Sequence, residues 1–238
     1  KVMSIFGTRP EIIRLSRIFP LLDKHFEHIM VNTSQNFTDE LNSLFIKELG
    51  IRKPDYDLEI RTKNFGDEIS DIIKKIDVLL FKEQPDMVLI LGDTNSGLSA
   101  IPTAHHRIKI VHLEAGMRSY DYRMPEEKNR IVIDHLSSIL FPYTQYSKEH
   151  LLRENISPRK IFVIGNPIVE VLNYYSKKID ASKILQKFKL KPNEYFLVTA
   201  HRSENVDDLS QLKQIFSGLE KLHKKFHKRI IFPIHPRT

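Results

Sequence analysis

The chain has 238 residues, 41% hydrophobic and 28% charged, with no cysteine and a formal net charge of +7. This is ordinary globular composition, long enough for one large core or for one domain and part of a second. The missing cysteines exclude disulfides, thiolate zinc sites and a thiol nucleophile. Much of the basic excess falls between Lys213 and Arg229, where Leu219, Leu222 and Phe226 recur at helical spacing. Those lysines therefore read as the solvated face of a helix, and no nucleic-acid partner is expected. The opening Lys1–Phe6 is too short for a signal peptide or a membrane span, so the expectation is a cytoplasmic protein with no membrane partner.

Apolar runs alternate with amphipathic helices along the chain. The predicted strands are Val2–Phe6, Ile29–Thr33, Met87–Leu91, Ile110–Leu113, Ile139–Phe141, Ile161–Ile164, Tyr195–Thr199 and Ile230–Ile234. The predicted helices are Glu11–Lys24, Asp39–Leu49, Gly66–Glu83, Ser96–His106, Lys128–Ser137, Ser147–Glu154, Pro167–Tyr175 and Leu209–Phe226. Short buried strands separated by helices indicate βαβ units and a mostly parallel sheet. The lysine-rich stretch 176–193 has no strand signal, and a new βα pattern starts at Tyr195. The expected division is a Rossmann-like domain over residues 1–170. Residues 171–238 then form a linker and the incomplete start of a second Rossmann-like domain.

Several motifs sit just after predicted strands, where α/β sheets bind ligands. Gly7-Thr8-Arg9-Pro10-Glu11 opens the first helix. Gly7 allows close approach, Thr8 can cap, Pro10 suits a first turn, and Arg9 and Arg14 add charge for an anion at the helix N-terminus. Taken alone, this is also an ordinary turn and cap. Asp93 in Gly92-Asp93-Thr94 reads either as a helix cap or as a functional acid. Glu114 directly follows a buried run. A buried carboxylate needs a partner, and Arg118 or Arg130 could supply a structural salt bridge. Pro125-Glu126-Glu127 places acids in a helix first turn, which the helix dipole favours in any case. Together Asp93, Glu114, Glu126 and Glu127 can converge on one crevice, as proton transfer would require. His201 follows a strand beside Arg202 and Glu204 and is a further candidate.

Other chemistries lack their signatures. No two of the eight glycines lie two apart, so no G-x-G-x-x-G dinucleotide fingerprint exists. Gly92 and Gly97 have P-loop spacing, but Leu98-Ser99 follows where a lysine is required. His105-His106 lacks a spaced third ligand. Neither a cofactor nor a metal is expected.

In this order, FGTRPE (6–11), GDT (92–94), HLEAGMR (112–118), PEEKNR (125–130), GNP (165–167), TAHRSEN (199–205) and HPR (235–237) resemble the non-hydrolysing UDP-N-acetylglucosamine 2-epimerase family. The resemblance implies two Rossmann-like domains in a GT-B-like arrangement, a UDP-sugar substrate, no cofactor, a homodimer and a role in bacterial surface polysaccharides. It implies catalytic roles for Asp93, Glu114, Glu126, His201, Arg9 and Arg14, the last standing where the family usually has lysine. The same resemblance assigns substrate contacts to Gly7, Thr8, Arg118, Arg130, Arg202, Glu204, Asn205 and His235. Gln35 and Asn36 fall where the family places an effector contact, usually Gln-His, and with the shortened Glu114–Glu126 stretch a remodelled regulatory pocket is expected. The wording EAGMRSYDYRMPEEKNR also resembles the branch acting on modified UDP-sugars. A GT-B glycosyltransferase and a non-catalytic nucleotide-sugar-binding remnant are the rival readings.

Overall fold

A computed structural model describes residues 1–34, 45–60, 64–200, 206 and 208–233. The chain divides into two compact units, Lys1–Tyr174 and Tyr175–Thr238.

The first unit is built on six parallel strands: β1 (Val2–Phe6), β2 (His28–Asn32), β3 (Tyr56–Asp57), β4 (Met87–Leu91), β5 (Lys109–Leu113) and β6 (Ile139–Phe141). Their spatial order is β3-β2-β1-β4-β5-β6. Alternate residues of each strand point to opposite faces, and both sets are mostly apolar, as a sheet covered on both sides demands. Met3, Ile5, Val31, Val88, Ile90 and Ile110 share one core. It is covered by Ile72, Ile76 and Leu80 of the helix α3 (Phe65–Glu83) and by Ile133. Phe6, Met30, Leu89, Leu91, Val111 and Leu113 share the other, under Ile12, Leu15 and Phe19. The chain winds outward from β1 through β2 to β3, then returns to pair β4 on the other side of β1. That reversal opens a crevice past the carboxyl ends of β1 and β4.

Further helices of this unit include α1 (Arg9–Leu15), α2 (Phe19–His25), α4 (Ala100–His105), α5 (Pro125–Leu136) and α6 (Gln145–Arg153). α7 (Ile168–Asp180) runs across the division between the units. The second unit contains the short α8 (Ile184–Lys187) and the parallel pair β7 (Tyr195–Leu197) and β8 (Arg229–Ile231), joined through α9 (Leu209–Phe226). Asp208 caps α9 through the Ser210 N–H at 2.7 Å. Phe226 meets Phe196, and Phe216 meets Phe232, each pair with ring centroids 5.7 Å apart. The lysines of α9 are exposed, with Lys224 paired to Glu220 at 2.7 Å, as a solvated face should be. Among the described residues, no helix is long and apolar enough to cross a membrane.

Several expected elements differ. The helix expected over Glu11–Lys24 is two helices. The Ser16 hydroxyl donates to the Ile13 carbonyl at 2.7 Å at the end of the first, and Pro20 lies in the first turn of the second. Proline fits a helix start but removes an interior hydrogen bond. Residues 161–164 form only an isolated bridge, Leu140 with Ile161. The partner strand stops at Phe141 because Pro142 has no N–H to extend the ladder. Ser96–His106 starts as a 3-10 turn, Asn95–Ser99, before α4. The two-residue β3 was not anticipated. Of the helix expected over 39–49, residues 39–44 lie outside the described residues.

Gly116 follows the β5 loop with φ +74, and a Cβ there would run into the Ser147 carbonyl and the Leu151 side chain. Gly50 has φ +64 but faces open space. Alanine at either site meets a left-handed backbone strain of about 1–2 kcal/mol. At Gly116 overpacking adds about 1–3 kcal/mol. Urea unfolding should therefore show Gly116→Ala costing clearly more than Gly50→Ala; equal losses would mean that the loop relaxes freely away from α6.

Candidate active site

Three loops meet at the reversal point, each following a strand of the central sheet. The first, Gly7-Thr8, leads into α1 with Thr8 as N-cap residue. Glu11 is 2% exposed and reaches back to accept from the N–H groups of Gly7 (3.0 Å) and Thr8 (2.6 Å). Its other oxygen accepts from the Thr94 hydroxyl at 2.9 Å, which ties the β1 loop to the β4 loop. Burial pushes the Glu11 carboxyl up, against these hydrogen bonds. Arg9 is exposed, with its guanidinium 5.7 Å from the centre of the Phe45 ring.

The second loop carries Asp93. Gly92 turns the chain at φ +77, and its N–H donates to Leu113 at 3.0 Å. The Asp93 carboxylate receives the Arg130 guanidinium, with Nε at 2.8 Å, and its carbonyl accepts from Asn129 at 3.0 Å. Both donors come from α5. Arg130 also donates to Glu127 at 2.6 Å.

The third loop carries Glu114, which adopts φ +70, a conformation uncommon outside glycine. Its Oε2 is paired with Arg14 of α1 and lies 3.4 Å from the Tyr143 hydroxyl. The same oxygen stands 3.7 Å from where a Cβ on Gly92 would be, so Glu114 leans over the β4 turn. Burial is the largest influence on Glu114 and pushes its carboxyl up. Arg14 opposes that, and the nearby Asp93 charge adds to it. Burial and the Glu114 charge also push the Tyr143 hydroxyl up, so it stays a donor.

Beneath these loops is a buried polar chain. His112 Nδ1 faces Asp134 at 2.7 Å, and its Nε2 donates to the Gly92 carbonyl at 2.9 Å. Asp134 accepts the Gly116 N–H at 3.1 Å and the Arg118 guanidinium at 2.8 Å. Burial would raise the Asp134 carboxyl, but His112 and Arg118 outweigh it and hold it below the ordinary carboxylate value.

The structure thus brings Gly7, Thr8, Arg14, Asp93, Glu114 and Arg130 together at the β1/β4 crevice. Arg118, expected at the substrate, is otherwise engaged. Its side chain is 1% exposed and is held by Asp134 and, through two contacts of 2.7 Å, by Glu154. Glu126 is exposed on the first turn of α5. The adjacent Glu127 is buried, and the N–H groups of Ser119 and Tyr120, the Ser119 hydroxyl and Arg130 overcome its burial to hold its carboxyl low. His201, Arg202, Glu204, Asn205, His235, Gln35 and Asn36 lie outside the described residues. Sequence reasoning missed Glu11, His112, Asn129, Asp134 and Tyr143 as parts of the site. Thr8 and Glu11 carry the S/T-x-x-E spacing of a capping box, so that signal was present. Nothing local marks Asp134, whose partners lie 16 to 22 positions away.

This arrangement offers a buried carboxylate of raised proton affinity, a second carboxylate beside it, and cations on both. Such a set can hold and move a proton while an anionic ligand is accommodated. The UDP-N-acetylglucosamine 2-epimerase family model matches residues 21–238. A UDP-N-acetylglucosamine 2-epimerase of Methanococcus maripaludis is 41% identical over 100% of this chain and 66% of its own length. The chain thus spans just under two thirds of that relative. The Methanocaldococcus jannaschii UDP-GlcNAc 2-epimerase, solved with UDP-GlcNAc and UDP, superimposes with a TM-score of 0.93 at 40% identity, covering 100% of this chain and 66% of that one. A UDP-2,3-diacetamido-2,3-dideoxy-D-glucuronate 2-epimerase of Pseudomonas aeruginosa is 32% identical over 100% of this chain and 67% of its own. The doubly wound sheet, the loops that carry Asp93 and Glu114, and these matches agree: the chain belongs to the UDP-N-acetylglucosamine 2-epimerase family.

Proposed function

We propose that the protein is a non-hydrolysing UDP-N-acetylglucosamine 2-epimerase that interconverts UDP-GlcNAc and UDP-ManNAc. The observation that carries this reading is Glu114: a buried carboxylate of raised proton affinity, paired with Arg14 and close to Asp93 at the crevice. C2 of an N-acetylhexosamine has no adjacent carbonyl, so its proton is hard to remove alone. Coupling its removal to loss of UDP from C1 solves the difficulty. A carboxylate takes the C2 proton, the C1–O bond breaks with its electron pair leaving on UDP, and a 2-acetamidoglucal remains. Protonation of C2 on the opposite face and return of the UDP oxygen to C1 give the epimer. The route is redox-neutral and uses acids and bases on both faces, with cations for the departing pyrophosphate. Glu114 and Asp93 supply acid–base groups, and Arg14 and Arg9 supply cations; Glu126 and His201 take roles by their motifs alone. The GT-B-like arrangement, a homodimeric, cytoplasmic enzyme and a place in surface-polysaccharide synthesis complete the reading. A modified UDP-sugar as substrate is the second reading, favoured by the diacetamido-glucuronate relative. Comparative rates on the two substrate types separate them.

NMR of UDP-GlcNAc incubated with the whole protein in deuterium oxide should show solvent deuterium at C2 of the epimerised sugar. Epimer that keeps its original C2 hydrogen would rule out the elimination route. Glu114→Gln and Asp93→Asn should each lower kcat by at least about a hundredfold, the lower scale of general acid–base groups. Near-normal turnover in either folded variant would return that residue to a structural role.

A second expectation concerns charge. Because burial raises Glu114 and Arg14 opposes that rise, Arg14→Ala should move the Glu114 titration to higher pH still, read from its carboxyl carbon by NMR. Activity that needs ionised Glu114 is lost as pH falls through that raised value, so the acid limb of the rate profile should move up with it. A downward or absent movement would show that Arg14 does not act on this carboxylate.

A further inference from the structure

Asp93 and Glu114 sit on loops, and loops are the mobile parts of an α/β fold. Proton transfer tolerates little displacement, since a misplacement of about 1 Å can cost about a hundredfold in rate. Something rigid must therefore hold each turn. Arg130 and Asn129 of α5 hold Asp93 directly. The support beneath is the buried chain that the proposed chemistry does not use.

His112 is wholly buried in β5, and Asp134 is 1% exposed in α5. The imidazole joins α5 to the turn after β4: Nδ1 meets Asp134 at 2.7 Å, and Nε2 donates to the carbonyl of Gly92 at 2.9 Å. Gly92 directly precedes Asp93 and, at φ +77, makes the turn that presents it. The same Asp134 accepts the Gly116 N–H at 3.1 Å, two residues after Glu114. Arg118 closes Asp134's remaining demand at 2.8 Å and is anchored in turn by Glu154. One buried carboxylate thus reaches both acid-bearing loops, the β5 loop directly and the β4 loop through an imidazole. An unpaired group in this chain would be costly, so its members hold one geometry.

We propose that His112, oriented by Asp134, is a positioning residue of the active site that fixes the Gly92 carbonyl and thereby the placement of Asp93 beside Glu114. This deepens the epimerase reading and rests on it. His112 itself has no access to a substrate. Its effect passes through the Gly92 peptide, so the donor at the Nε2 position is the feature that matters for Asp93.

Two substitutions separate that donor from simple packing. The glutamine amide nitrogen reproduces Nε2, whereas the asparagine amide nitrogen reproduces Nδ1. His112→Gln should keep kcat within about threefold of the parent, and His112→Asn should lose about 10–100-fold in kcat, the scale for outer-shell orienting groups, with KM little changed. A residue needed only for packing would lower the melting temperature in both without this split in kcat. Equal kcat in the two folded variants, or the reverse order, overturns the proposal. If His112→Asn does not fold, His112→Gln decides: a folded glutamine variant that loses tenfold or more overturns it. A second readout needs neither variants nor activity. In the unsubstituted protein, NMR should detect coupling across the hydrogen bond from the His112 ring nitrogen to the Gly92 carbonyl carbon. Its absence overturns the proposal. If the parent fails to epimerise UDP-GlcNAc, the functional reading falls, and this coupling still tests the contact on which the positioning role depends.

Discussion

A carboxylate withdrawn from water must be given donors, and that requirement organises the active end of this fold. Glu11, Glu127 and Asp134 are buried, and Asp93 and Glu114 are largely so. Each is supplied by an element other than its own loop or by a neighbouring turn. Glu11 takes the N–H groups of Gly7 and of the N-cap Thr8, just before α1, and adds the Thr94 hydroxyl. Arg130 of α5 serves Asp93 and Glu127 at once. Arg14 serves Glu114 from α1. Satisfying each acid therefore fastens a loop to a helix or to a neighbouring loop.

Glu114, like Glu11, is pushed up by its burial, but it stands at the crevice with the Asp93 charge nearby. It has a cationic partner, yet burial still pushes its proton affinity up. Glu127, with two backbone N–H groups, a hydroxyl and a guanidinium, is held low instead. The difference lies in the donors: Glu127 is saturated, while Glu114 has one cation and a distant phenol. Glu127 is thus held as an ionised fixture, whereas the burial of Glu11 outweighs its three donors. α5 supplies most of the fixtures, since Glu127, Asn129, Arg130 and Asp134 all lie on it.

Much of this was legible in the sequence. The run Met87–Leu91, apolar throughout, and Val2–Phe6, apolar but for Ser4, marked the bounds of the inner strands, because a strand buried on both faces shows few polar residues. Elements at the sheet edges were less legible. β3 is two residues long, and Ile161 makes only a bridge, because edge pairing depends on neighbours that no local pattern reports. The acids placed at strand ends were legible by position, but their partners were not. Arg118 and Glu114 are four residues apart in sequence, yet Arg118 serves Asp134 while Glu114 takes Arg14, a hundred positions earlier. Choosing between such partners needs the β4–β5 register, which only the folded sheet sets.

The central claim is that these converging acids remove a proton from C2 while the bond from C1 to UDP breaks. Positional isotope exchange tests the bond cleavage directly. UDP-GlcNAc is prepared with oxygen-18 in the bridge between C1 and the terminal phosphorus, and the substrate pool is analysed by phosphorus NMR during turnover. If UDP departs and returns, rotation of its terminal phosphate carries the label into non-bridging positions as the epimer accumulates. Epimer forming while the label stays wholly in the bridge would contradict the account.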